Sequence, residues 1–328
     1  MADRYNSPYH HLGNPYPEWV EFYTKQPDRV PQLVGSPKEM RDVMQFLKAK
    51  ATSMVPPMED GITVQNLSYP AADGAQIPLR LYTPSGRTNP GPAIVYIHGG
   101  GWTLGDLEGE DLSCRSMCLH ADCVVVSMDY RLAPEHQFPI GLEDVWAAVT
   151  IENAAHILVD VNCLIIGGSS SGGNMAAVLA HRARDRGICL KGQILRIPSV
   201  CHIDVYPPNL NLWSMEELKD APLLSKRSME LFWSYYNPSN PANPDASPLL
   251  RESFAGLAPA YVQIAGMDPL RDEGLAYVDK LQQANVQVKL DVYPGFPHAF
   301  GYFPELPSAR TLERDLLKAI REMIDRET

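Results

Sequence analysis

The chain has 328 residues, 45% of them apolar and 20% charged, an ordinary globular balance that excludes wholesale disorder. Its 39 acids against 28 bases leave a net charge of −11, which argues against a nucleic-acid binder because phosphate contact needs a basic face. No apolar run approaches the roughly 18 residues of a membrane span, and Met1-Ala2-Asp3-Arg4-Tyr5-Asn6 leads into no apolar core, so the expectation is a cytoplasmic enzyme without a secretory signal.

Prolines and aromatics crowd the first 60 residues, which read as an N-terminal helical segment. Within it Ser36-Pro37 opens a helix with a Ser N-cap, Pro in the first turn, Glu39 in the capping-box position and Met40, Val43, Met44 and Leu47 at helical spacing. Pro56-Pro57 ends that helix. From residue 62 the texture turns to strands, expected at 62–69, 76–82, 93–97, 123–128, 163–166, 193–197, 260–264 and 287–293. Ala72-Asp73-Gly74 between the first two marks an antiparallel hairpin. Ile94–Ile97, Val124–Val126 and Leu164–Ile166 are continuous apolar runs, as strands buried on both faces require.

Helical patterns fall between the strands, at about 107–120, 139–155, 171–186 and 270–284, and an amphipathic helix closes the chain at about 308–326. This alternation implies right-handed crossovers and a mostly parallel sheet. Residues 61–328 read as one catalytic domain, interrupted at about 200–240 by an aromatic-rich insertion with helical spacing. Six cysteines (114, 118, 123, 163, 189 and 201) show no C-x-x-C pair and are expected to pack as small hydrophobes, without metal.

Gly168-Ser169-Ser170-Ser171-Gly172 follows an apolar strand and precedes a helix, the context of a nucleophile elbow. Only Ser170 has glycine at both −2 and +2, and its Oγ should stand at the C-terminal edge of the sheet. His98-Gly99-Gly100-Gly101-Trp102 follows the 93–97 strand, where free N–H groups of Gly99 and Gly100, with that of Ser171, would receive an oxyanion. An acid and a base should follow in the order Ser, Asp, His. Asp268 stands just past the 260–264 strand and His298 just past the 287–293 strand, so both emerge at the same edge as Ser170. Asp204 is the serious rival acid; His98 and His202 are poorer bases.

With these residues the chain resembles the hormone-sensitive-lipase-like H-G-G-G carboxylesterases of the α/β-hydrolase superfamily. The resemblance covers roughly residues 60–328, through H-G-G-G-W at 98–102, Gly105-Asp106-Leu107, D-Y-R-L-A-P-E-H at 129–136, the elbow, D-P-L-R-D-E-G at 268–274 and the segment around His298. It implies an eight-stranded α/β-hydrolase fold with a helical cap, and Asp268 as catalytic acid. It also implies that D-Y-R-L-A-P-E-H pins the loop beneath the site. Relatives usually read G-D-S-A-G-G at the elbow, whereas this chain carries Ser169 and Ser171; the second change leaves the backbone N–H in place, and the first removes a charge.

The expected activity is hydrolysis of short-to-medium acyl esters of small apolar molecules through an acyl-enzyme, with no cofactor. Trp102, Trp213 and Phe296 are expected to bind substrate. A deacetylase, lactonase or thioester-releasing hydrolase of a secondary-metabolite pathway would need the same triad, and a non-hydrolytic lyase, cyclase or ligand-binding relative is the different-class alternative. A monomer or homodimer is expected.

Overall fold

The computed structural model describes residues 7–54, 60–149 and 159–326. The eight strands expected from sequence are present and form one sheet: β1 (Ile62–Pro70), β2 (Gln76–Pro84), β3 (Gly91–Ile97), β4 (Val124–Met128), β5 (Val159–Ser169), β6 (Gly192–Arg196), β7 (Ala260–Met267) and β8 (Val288–Pro297). Their spatial order is β1-β2-β4-β3-β5-β6-β7-β8. The β1–β2 hairpin is antiparallel, as Ala72-Asp73-Gly74 requires, and β2 joins β4 antiparallel; every later pair is parallel. The chain is an α/β hydrolase fold of eight mostly parallel strands flanked by helices.

The central strands are buried on both faces, which is why they read as unbroken apolar runs. One face packs on α4 (Ile140–Val149), α5 (Ser171–Asp185) and α8 (Arg271–Gln283), through Val145, Leu179, Leu275 and their neighbours. The other packs on α3 (Asp111–Ala121) and α9 (Pro307–Ile324), where Met117, Cys118, Leu316 and Ile320 meet Ile94, Tyr96 and Ile194. Four cysteines, Cys114, Cys118, Cys123 and Cys201, are buried in these layers, and all six carry free thiols.

Before the sheet come α1 (Pro17–Lys25) and α2 (Pro37–Met54), and Glu39 closes on the Ser36 amide at 2.8 Å as the capping box predicts. Trp19 and Phe22 of α1 pack on Phe303, tying the N-terminal segment to the chain after β8. The insertion contributes α6 (Ser214–Glu217) and α7 (Lys226–Tyr236). Several boundaries differ from expectation, two of them instructively. The helix predicted from 107 begins at 111, because the Asp106 carboxylate accepts the amides of Glu108 and Gly109 and folds a turn first. Strand β5 starts four residues early, where Val159 pairs with Gly91 across an irregularity. The end of the 139–155 helix and Pro56-Pro57 lie outside the described residues.

Candidate active site

The site is assembled from the C-terminal ends of β3, β5, β7 and β8. At the end of β5 the chain reverses directly into α5, and Ser170 takes φ 54° and ψ −115°, a region that side chains avoid. Its amide donates to the Arg196 carbonyl at 2.8 Å, so the neighbouring strand holds the strained turn. A Cβ on Gly168 would lie 2.5 Å from the Gly172 backbone, and one on Gly172 would overlap the Ile97 carbonyl. The elbow therefore needs both glycines for close backbone approach. The result is a hydroxyl at the rim, beside the amide end of a 15-residue helix.

His298 leaves the end of β8 with Nε2 3.0 Å from Ser170 Oγ and Nδ1 2.7 Å from Asp268 Oδ2. A carboxylate only accepts, so Nδ1 carries the imidazole proton and Nε2 is left to accept from the serine hydroxyl. The second oxygen of Asp268 receives the Leu270 amide at 2.9 Å, and both Asp268 and His298 are buried. Three groups, distant in sequence, form one hydrogen-bonded line.

The rival groups are engaged elsewhere. Asp204 has a side chain 76% exposed, paired with His202 at 3.8 Å. The ring of His202 accepts the Asp204 amide at Nδ1 and lies 4.5 Å from Trp233. His98 is stacked on Tyr130 and directs Nδ1 at the Gly99 carbonyl, 2.8 Å away; burial lowers its pKa. Asp272 receives the amides of Trp213 and Ser214 at 2.9 Å and an ion pair from the buried Arg271.

The glycine loop after β3 lies across from the elbow. Gly100, at φ +123°, folds the chain so closely on Leu104 that a side chain there would overlap its carbonyl. The Gly100 carbonyl in turn takes the amides of Thr103 and Leu104. The amides of Gly100, Gly101 and Ser171 have no hydrogen-bond partner among the described residues. The D-Y-R-L-A-P-E-H block lies beneath: the Tyr130 hydroxyl donates to the His98 carbonyl at 3.2 Å, and the Ala133 amide donates to that of Trp102 at 2.8 Å.

A cavity of about 1250 Å³ opens over Ser170 and His298 and contains the loop glycines 99–101. Met44, Leu47 and Met54 of α2 line it, with Leu223 and Phe232 from the insertion. Toward α3 and α9 its wall becomes polar, with Glu110, Arg196 and Glu313. Among the described residues no cluster of three or more His, Cys, Asp or Glu is disposed to hold a metal ion.

None of the three aromatics expected to bind substrate lines this cavity. Trp102 is buried in a stack with Tyr236, ring centres 4.4 Å apart, and packs against Trp233 at 4.3 Å, so it cements the loop to α7. Trp213 lines a separate pocket of about 810 Å³ on the outside of the insertion. Phe296 is sandwiched between Phe300 and Tyr16. Sequence reasoning found the aromatic clusters but not their facing; Phe232, adjacent to Trp233, is the one that turns inward, against Gly101.

Comparison with known proteins agrees with this architecture. A family model described as the alpha/beta hydrolase fold matches residues 94–301. The carboxylic ester hydrolase LipN of Mycobacterium tuberculosis is 38% identical over 276 residues, covering 81% of this chain and 72% of its own. Among solved structures, vibralactone cyclase superposes with a TM-score of 0.90 at 31% identity, over 96% of both chains. An esterase of Pyrobaculum calidifontis gives 0.84 at 32% identity, over 94% of this chain and 99% of its own.

Proposed function

This chain belongs to the α/β-hydrolase family, in its hormone-sensitive-lipase-like carboxylesterase branch, and from that membership we propose that it cleaves short-to-medium acyl esters of small apolar molecules with Ser170, His298 and Asp268. The observation that carries the reading is the unbroken line Ser170 Oγ, His298 Nε2, His298 Nδ1, Asp268 Oδ2 at the floor of an apolar cavity. As Ser170 attacks the ester carbonyl, His298 takes its proton, and the Asp268 carboxylate steadies the imidazolium that forms. The oxyanion is received by the amides of Gly100 and Ser171, with those of Gly99 and Gly101 beside them. His298 then protonates the departing alcohol. Water, deprotonated by the same ring, releases the acid from the acyl-enzyme.

The N-terminal segment 1–60 and the 200–240 insertion act as a cap over catalytic domain 61–328, excluding water and offering apolar walls from α2 and Phe232. The vibralactone cyclase likeness supports a second reading, in which an internal hydroxyl of the substrate replaces water and the product is a lactone. Both share the acyl-enzyme.

A p-nitrophenyl ester series from acetate to palmitate tests the proposal. Turnover should be highest at short to medium chains and fall by about 10⁴-fold or more in Ser170→Ala. Activity peaking at palmitate would make the protein a lipase, and undiminished turnover in Ser170→Ala would remove the nucleophile.

A further inference from the structure

The Asp268 carboxylate is aimed by the peptide that follows it. Its Oδ1 accepts the Leu270 amide at 2.9 Å, while Oδ2 faces His298 Nδ1 at 2.7 Å. The Leu270 N–H and the Pro269 carbonyl are two ends of one planar peptide, so whatever holds the carbonyl also sets the direction of the amide. What holds it comes from the insertion. Ser214, the first residue of α6, donates its hydroxyl to the Pro269 carbonyl at 2.7 Å. The same oxygen accepts the Asp272 amide at 3.0 Å, and the Asp272 carboxylate accepts the Ser214 amide at 2.9 Å. Ser214 is buried, and its hydroxyl is engaged on both sides.

The first turn of α8 fastens the insertion more widely. Arg271 reaches Glu217 of α6 at 2.9 Å and turns back on the Gly266 carbonyl at 3.3 Å. Glu273 accepts the amides of Val200 and Cys201, at 2.6 and 3.2 Å, and the Tyr206 hydroxyl. These bonds attach the insertion to the helix. Among the described residues, the Ser214 bond is the one that ends on the peptide orienting Asp268. Ser214 itself lies outside the lining of the cavity over Ser170.

We propose that Ser214 is a positioning residue for the catalytic acid: its hydroxyl fixes the Pro269–Leu270 peptide, and that peptide holds the Asp268 carboxylate in line with His298. This rests on the Ser170–His298–Asp268 reading. One chain of hydrogen bonds then runs from the insertion to the nucleophile, and the insertion sets the acid as well as walling the cavity. Without the hydroxyl, the Pro269 carbonyl and the Asp272 amide are left buried and unpaired, and the peptide is free to rotate toward other partners.

The test is steady-state kinetics with p-nitrophenyl butyrate on wild type, Ser214→Ala, Asp268→Asn and the double variant. Ser214→Ala should lower kcat about tenfold or more with KM within about twofold of normal. It should add nothing once Asp268 is replaced, because no carboxylate is left to position. Wild-type kcat in Ser214→Ala, or losses that multiply in the double variant, overturns the proposal. Ser7→Ala is the control, since Ser7 donates to Asp272 Oδ1 at 3.0 Å without touching the Pro269 peptide. It should lower stability and leave kcat unchanged; a kcat loss equal to that of Ser214→Ala would reduce Ser214 to packing and overturn its role. If Ser214→Ala fails to fold, Ser214→Cys, a weaker donor, decides: kcat should fall at constant KM, and an unchanged kcat overturns the proposal. Full turnover in Asp268→Asn would sink the triad itself, whereas an inactive Asp268→Asn beside a fully active Ser214→Ala sinks the role of Ser214 alone.

Discussion

The rim of the sheet and the proposed cap above it are held by different forces. At the rim, backbone approaches backbone: Gly168 against Gly172, Gly172 against Ile97, Gly100 against Leu104, with Ser170 in a conformation that the Arg196 carbonyl maintains. In the proposed cap, side chain packs on side chain, with Trp102 against both Tyr236 and Trp233 and Trp19 and Phe22 against Phe303. Backbone contacts tolerate almost no change of residue type, whereas aromatic packing tolerates much at constant volume. On the proposed function, the chemistry sits where identity is dictated, and the choice of substrate where it is not.

Replacing the proposed orienting acid should break the comparison most visibly. Asp268→Asn should lower kcat by about 10⁴-fold, since the amide cannot fix the imidazole tautomer, while Asp204→Asn should leave kcat within a few-fold of normal. Equal losses in the two would mean that the rim does not hold the acid.

A smaller effect is expected in the cap. Phe232→Ala removes the wall against Gly101 and should raise KM about three- to tenfold with a modest fall in kcat, at a cost of about 3 kcal/mol in unfolding free energy. Trp213→Ala, in the outer pocket, should leave KM unchanged. Steady-state kinetics of both variants, with chemical denaturation alongside, sharpens the division: a KM change in Trp213→Ala would move the substrate site to the insertion's outer face.

The same division explains what the sequence made legible. The elbow, the glycine loop and the order of Asp268 and His298 follow from local steric demands and from strands that end together, so residue type and spacing announce them. Strand ends were less legible because pairing partners set them. Strand β8 runs to Pro297 because Met267 pairs with it across an irregularity, and nothing in residues 294–297 suggests that. The cavity walls were hidden for a further reason. Phe232 and Trp233 are neighbours of similar character on α7, yet one faces the cavity and the other Trp102; only the placement of that helix on the core decides. Glu110 belongs with them, since a side chain at a helix start ordinarily caps it, and here it makes no cap bond and the residue lines the cavity.

Labelling with a fluorophosphonate, followed by peptide mass spectrometry, tests the central claim most directly. The account predicts one adduct per chain, on the peptide containing Ser170, absent from Ser170→Ala and formed far more slowly in an Asp268→Asn variant. An adduct on any other serine, or full labelling of Ser170→Ala, would contradict it.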